Sequence, residues 1–427
     1  SKQVLKFVLQ SFIFHIIETN YQTTSKKEMQ EIKELNQLLS KYVDQGCFPG
    51  FQWQINIDEK IYSGKYGLNN IETKKPVLDN SIYRIWSMTK PIVAVVAMQL
   101  IEKKTIKLKD PITEYLPEFR NLKVLINEKA NLDEVEDVHE YPTIKDLLLH
   151  TAGFSYNSMG DPIGKEYDRI ELFHSDTTTL ETEVKKIAKV PLLFNPKKKW
   201  RYSVSMDVLG RIIEVIKNDS LQNILENEIF NPLEMHETRF SVAKKSEHRV
   251  MESYAYDPLK SKLTNYLPGP QKLHNYQYPT NEEKFARGGH GLFSTIKDYS
   301  IFANMLHSGK SKNGEIIINP QTLKMMNSNA LEDYYFPLEI TSVDTVKDAK
   351  YVNDLEPYGW GMGFRTLMEP EKNKNLGSYG EFGWSGYAAT YFLVDDKKNM
   401  SALIMTQVFN ALPNLQKDFY KYIYTNF

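Results

Sequence analysis

The chain has a single cysteine, Cys47, in 427 residues, so no disulfide can form within it and the redox compartment is left open. Net charge is nearly absent: 53 lysines and arginines against 54 acidic residues leave −1. Basic and acidic residues are mixed along the chain, and a run such as Lys197-Lys198-Lys199 reads as a solvated loop. Without a field of one sign, bulk charge does not recruit nucleic acid or an anionic membrane, and no nucleic-acid partner is expected. The nine histidines show no metal-ligand spacing, and His150 and His290 have no second His or Cys beside them. No metal and no other cofactor is expected. Two familiar motifs are also missing. Gly383-Trp384-Ser385-Gly386-Tyr387 fails the last position of a Gly-x-Ser-x-Gly elbow, and Gly289-His290-Gly291 lacks the third glycine of a dinucleotide fingerprint.

Long apolar runs are scarce as well. Phe7 to Ile17 follows two lysines and is largely apolar, yet Gln10 and His15 interrupt it, and it is too short to span a bilayer. It reads either as an appended helix or strand, or as a targeting or anchoring segment. The expected location is accordingly cytoplasmic, with export or membrane association through this segment as the alternative. No later stretch reaches transmembrane length.

What is present is an ordered set of elements in a chain long enough for two or three domains. Met29, Ile32, Leu35, Leu38, Leu39, Tyr42 and Val43 recur at helical spacing between Lys26 and Gln45. Phe51 to Ile57 alternates as a half-buried strand, Asp58-Glu59-Lys60 turns it, and Ile61 begins a second strand. Tyr358 to Phe364, Tyr387 to Val394 and Met400 to Gln407 read as three more strands, followed by an amphipathic helix over Leu415 to Tyr424. Short turns between consecutive strands predict an antiparallel sheet made from both ends of the chain. The middle is mostly helical in pattern, with Asn121 to Glu140 and Tyr156 to Thr179 as loop-rich insertions. Thr143 to Gly153 reads as a helix stopped by glycine and Gly288 to Gly291 as a tight turn, both structural in role. The predicted fold class is α/β of the α+β type, an antiparallel sheet flanked by terminal helices plus a mostly helical second domain. The expected division is a 1–25 extension, a sheet domain from 26–105 and 346–427, and a helical domain from 106–345.

Chemistry concentrates at Ser87-Met88-Thr89-Lys90. A strand over Ser81 to Trp86 runs into the long apolar helix that begins near Pro91. Positions i and i+3 share a helical face, so Lys90 can reach back to the Ser87 hydroxyl, next to free N–H groups at the helix start. Ser-x-x-Lys recurs by chance in a chain this long, but here two further segments accompany it in order: Trp200-Arg201-Tyr202-Ser203-Val204 and Gly383-Trp384-Ser385-Gly386-Tyr387. A lysine acting as base must be partly neutral, which means bringing its pKa from about 10.4 to near 7, roughly 4 kcal/mol.

Together with Thr143 to Gly153, Gly288 to Thr295 and Glu381 to Gly386, these segments resemble the serine hydrolases related to class C β-lactamases and penicillin-binding proteins. The similarity is greatest to the family VIII carboxylesterases and covers roughly residues 30 to 410. The resemblance implies a β-lactamase/transpeptidase-like fold with the active site in a cleft between two lobes. It implies Ser87 as nucleophile, Lys90 and Tyr202 as the proton-transfer pair, and the backbone N–H groups of Ser87 and Tyr387 as the oxyanion hole. Trp384, Ser385 and Gly386 would form an edge strand lining the substrate cleft, with Gly386 letting substrate approach. Penicillin-recognising enzymes commonly carry a lysine where Trp384 stands and an asparagine where Val204 stands, and both departures favour a neutral ester. Tyr387 replaces a small residue and narrows the acyl pocket. The reading is a carboxylesterase acting on short-to-medium acyl esters, with a small-molecule ester as partner. The alternatives are a β-lactamase, a D-amino-acid peptidase or transacylase, or a non-catalytic scaffold of the same fold.

Overall fold

The structure is a computed structural model of the chain and describes residues 26–157, 159–264, 285–343, 350–411 and 414–427. The apolar run within residues 7–17 and the expected boundary at 345–346 lie outside those residues. Among the described residues no helix is long and apolar enough to cross a membrane.

Strands β1 (Gly50–Ile57) and β2 (Lys60–Asn70) form a hairpin through Asp58 and Glu59, whose φ angles of 48° and 66° are left-handed. Two residues of positive φ give the turn whose twist matches the strands it joins. Beside β2 lies the short β3 (Lys75–Pro76). The far end of the chain supplies β4 (Tyr358–Trp360), β5 (Arg365–Leu367), β6 (Phe382–Ser385), β7 (Tyr391–Asp395) and β8 (Met400–Met405). The sheet order is β4-β5-β6-β7-β8-β1-β2-β3, antiparallel throughout. The two ends of the chain meet at β8 and β1, where Trp53 faces Ile404 and Ile55 faces Ala402.

The five longest described helices are α1 (residues 26–44), α2 (Thr89–Glu102), α3 (Ser205–Lys217), α4 (Ile296–Ser308) and α5 (Leu415–Asn426). One sheet face is covered by α1 and α5, whose Leu35, Leu39, Leu415, Phe419 and Ile423 are buried with Trp53, Ile55 and Ile404. Trp53 Nε1 donates to Asn36 Oδ1 at 2.7 Å, and Tyr42 donates to Asp418 at 2.6 Å, so α1 is fixed to both the sheet and α5.

The opposite face carries α4, which packs on β1, β7 and β8. From sequence, α4 falls in the helical domain; the structure lays it on the sheet instead. The reason lies in its polar positions. Ser300 accepts from Gln54 and Asn56 at 2.8 and 2.6 Å, and Asn304 accepts from Ser401 at 2.7 Å. Buried polar groups satisfied across one interface set register as well as contact. In α2 every residue from Thr89 to Leu100 is buried. A helix apolar all round belongs at the centre of the protein rather than at its surface. The helix α3 packs directly on α2.

Candidate active site

Ser87 sits in a single 3-10 turn, Trp86–Met88, that leads directly into α2. Strand Ile82–Arg84 delivers it, paired antiparallel with Phe293–Thr295. Trp86 has φ +47°, a conformation a bulky side chain rarely adopts. Its ring is wedged between His290, stacked at 6.1 Å, and the edges of Phe409 and Tyr387 at 5.5 and 5.8 Å. Tyr299 of α4 donates to the Met88 carbonyl at 2.7 Å and ties the same turn to the sheet layer. The turn is therefore held from three sides, as a strained backbone conformation requires in order to persist. Ser87 remains partly accessible while its neighbours Trp86 and Met88 are buried.

Lys90, 1% exposed, points back one turn to Ser87, with Nζ 2.9 Å from Oγ. Its other neighbours are the Gly289 carbonyl at 2.8 Å and the Tyr156 hydroxyl at 3.3 Å. A carbonyl can only accept, so Nζ must donate to Gly289. A hydroxyl can donate, which leaves Ser87 free to point its proton at a lone pair on Nζ. Three neighbours thus suit a neutral amine with two N–H bonds and one lone pair. Burial pulls the Lys90 ammonium down to about 7, against the charge of Asp207, which favours the cation.

Tyr202 lies beneath Lys90, with Nζ 4.6 Å from the ring centre. Its hydroxyl is hydrogen-bonded to Ser87 and accepts from Trp384 Nε1 at 3.0 Å; burial raises the phenol above its ordinary range, and both bonds oppose that rise. The segment is aligned by backbone pairing, Arg201 N–H to the His150 carbonyl at 2.8 Å and Val204 N–H to the Ser155 carbonyl at 3.1 Å. The His150 ring packs on Tyr202 at 4.8 Å, and burial, aided by the Lys90 charge, holds its pKa well below the usual value.

The third segment arrives on β6. It is not an edge strand of the sheet: Phe382 and Gly383 pair with β5, and the whole of β6 pairs with β7. Only Trp384 and Ser385 run past the end of β5, because β5 is three residues long. The Trp384 ring is 2% exposed and packs at right angles on Trp360, 4.7 Å away, so its indole positions Tyr202 from behind. Ser385 and Gly386 are partly exposed, and the Tyr387 ring is 45% exposed beside Trp86.

Gly386 is required by a contact within the protein as well. A Cβ there would stand 2.1 Å from Thr390 Oγ1 and 2.4 Å from the Ile85 carbonyl, the residue two before Ser87. The missing side chain brings the third segment against the turn that carries Ser87. Gly386→Ala is expected to cost about 1–3 kcal/mol of stability through overpacking, seen as a lower urea midpoint; an unchanged midpoint would contradict this contact.

Three residues of the site were not singled out from sequence: Tyr156, Asp207 and Gly289. The 288–291 turn, expected to be structural, supplies the Gly289 carbonyl that receives Lys90. Asp207, fully buried on α3, accepts from Gly289 N–H at 3.1 Å; burial raises its carboxyl to about 6, opposed by Lys90. The Thr143 helix ends at His150, itself left-handed at φ 57°, rather than at Gly153. Val204 is fully buried within the apolar core.

The chain is similar to known proteins along most of its length. Protein Rv1367c of Mycobacterium tuberculosis is 27% identical over 373 residues, 85% of this chain and 87% of that protein. Esterase EstB of Burkholderia gladioli is 24% identical over 359 residues, 82% and 83% of the two chains. The solved structure of EstCE1, described as a hydrolase with promiscuous acyltransferase activity, superposes with a TM-score of 0.74 at 20% identity, covering 94% of this chain and all of the other. The model of the Beta-lactamase family matches residues 35–426, and the chain belongs to that family.

Proposed function

We propose that the protein is a serine carboxylesterase that cleaves short-to-medium acyl esters of small molecules through an acyl-enzyme on Ser87. The observation that carries the reading is the buried Lys90 amine 2.9 Å from Ser87 Oγ, with one neighbour, the Gly289 carbonyl, that only accepts. Ser87 Oγ attacks the ester carbonyl as Lys90 takes its proton. The resulting oxyanion is received by the backbone N–H groups of Ser87 and Tyr387. Tyr202, bonded to Ser87 and lying under Lys90, passes the proton to the departing alcohol oxygen as the ester C–O bond breaks. Water then attacks the acyl carbonyl, its proton goes back through Tyr202 and Lys90, and the acid leaves with Ser87 restored.

An ester is favoured over a β-lactam by Trp384, whose indole is committed to Tyr202 and offers no positive charge to a substrate carboxylate. EstB, an esterase by name, supports the same choice. The Ser385 to Tyr387 stretch lines the cleft, where the exposed Tyr387 ring limits the bulk of the acyl group. The test is hydrolysis of a nitrophenyl ester series from acetate to decanoate beside a chromogenic cephalosporin. Turnover is expected to peak at short or medium chains with little cephalosporin cleavage. Rapid cephalosporin cleavage would move the assignment to amide substrates, and silence on every acyl donor would overturn it.

A further inference from the structure

Asp207 is a buried carboxylate without a place in the reaction just described. It is 0% exposed, and its Oδ2 has no hydrogen-bond partner among the described residues. Its Oδ1 accepts from Gly289 N–H at 3.1 Å, while the carbonyl of the same residue accepts from Lys90 at 2.8 Å. Acid and amine are thus joined through one glycine. That glycine is required by contact: a Cβ on it would lie 2.4 Å from Asp207 Oδ2 and 3.1 Å from the Tyr156 hydroxyl. The bare Cα lets the carboxylate and the phenol close against the turn that receives Lys90.

We propose that Asp207 is a positioning residue for the esterase reaction: it fixes the Gly289 turn against Lys90, and its negative charge sets the pH at which the Lys90 amine becomes available to Ser87. The inference rests on the reading of Lys90 as base. The other groups facing the pair come from every element around it. Tyr156 and Tyr202 are held protonated and His150 neutral by burial. Arg287 and Glu183 act on Asp207 with opposite signs, and His290 Nδ1 lies 3.9 Å from Oδ2. Among these, Asp207 is the carboxylate whose charge reaches Lys90. The carboxylate opposes the loss of the Lys90 proton that burial promotes, so it holds the switch to the active form at a higher pH than burial alone would set.

The test is Asp207→Asn, whose amide oxygen still accepts from Gly289 while the charge is gone. Two profiles are recorded against pH: kcat/KM for a nitrophenyl ester, and the rate of Ser87 labelling by a fluorophosphonate. The acid limb of both is expected to move to lower pH by about one unit, while Asp207→Glu keeps it near the native position. If Asp207→Asn does not fold, Asp207→Ser is measured in the same way with the same expectation. A limb that stays in place, with or without a uniform loss of rate, overturns the inference and leaves Asp207 a structural residue. The labelling profile reads the limb whether or not an ester is turned over, so this outcome is separable from that of the ester assay.

Discussion

Ser87→Ala is expected to reduce ester turnover to background, a loss on the order of 10⁶ in kcat, the scale seen when a serine nucleophile is removed. The site offers no substitute. Lys90 and Tyr202 converge on the Ser87 oxygen, so the apparatus that would activate a second hydroxyl points elsewhere. Ser385, the serine of the third segment, sits on β6 with its backbone in register with Tyr391 of β7, and among the described residues neither Lys90 nor Tyr202 is hydrogen-bonded to it. Because Ser87 is partly exposed and its change removes one oxygen, the fold should survive, and the thermal midpoint should move little. Activity retained at even a few per cent of native would exclude Ser87 as the nucleophile.

Lys90→Met is the second large effect. Methionine approximates the length of the lysine stem but has no amine, so the Ser87 proton loses its acceptor. General base catalysis contributes about 10²–10⁴, and a fall in kcat of that size is expected with KM less affected. The same substitution carries a signature in stability. Burial takes the folded Lys90 from 10.5 down to about 7. Below about 7 both folded and unfolded chains hold the proton, and this group gives no pH slope. Between about 7 and 10.5 the unfolded chain binds a proton that the folded chain has released, so Lys90 makes stability rise with pH across that window and level off above it. Urea midpoints measured from pH 7 to 10 should therefore climb more steeply in the native protein than in Lys90→Met. Parallel profiles would show that Lys90 is not held neutral.

The reach of the sequence can be seen residue by residue. Ser87 and Lys90 were legible because both lie on one turn entering one helix, where spacing alone fixes proximity. The hairpin through Asp58 and Glu59 and the helix over residues 26–44 follow from local pattern in the same way. Tyr202 and Trp384 could be placed only by resemblance, since 182 positions separate two groups that hydrogen-bond. Tyr156 gave no signal: it stands in a loop without periodicity, and only packing brings its hydroxyl to Lys90. Asp207 did carry a faint one. It is an acid between Met206 and Val208 on the apolar face of α3, and a charge on a core face implies a partner. The internal contact of Gly386 gave no signal, because a sequence cannot show that the Ile85 carbonyl occupies the space a side chain would need. Likewise α4 joined the wrong layer because helical periodicity marks which face is buried and leaves open what buries it.

The most direct test is to trap the acyl intermediate. Protein mixed with a nitrophenyl butyrate and quenched in acid within its first turnovers, or treated with a fluorophosphonate, is digested and mapped by mass spectrometry. The added mass is expected on the peptide spanning Ser87 and to vanish in Ser87→Ala. Label on Ser385 or another residue, or turnover with no covalent species on Ser87 by either reagent, would contradict the assignment of Ser87 as the attacking group.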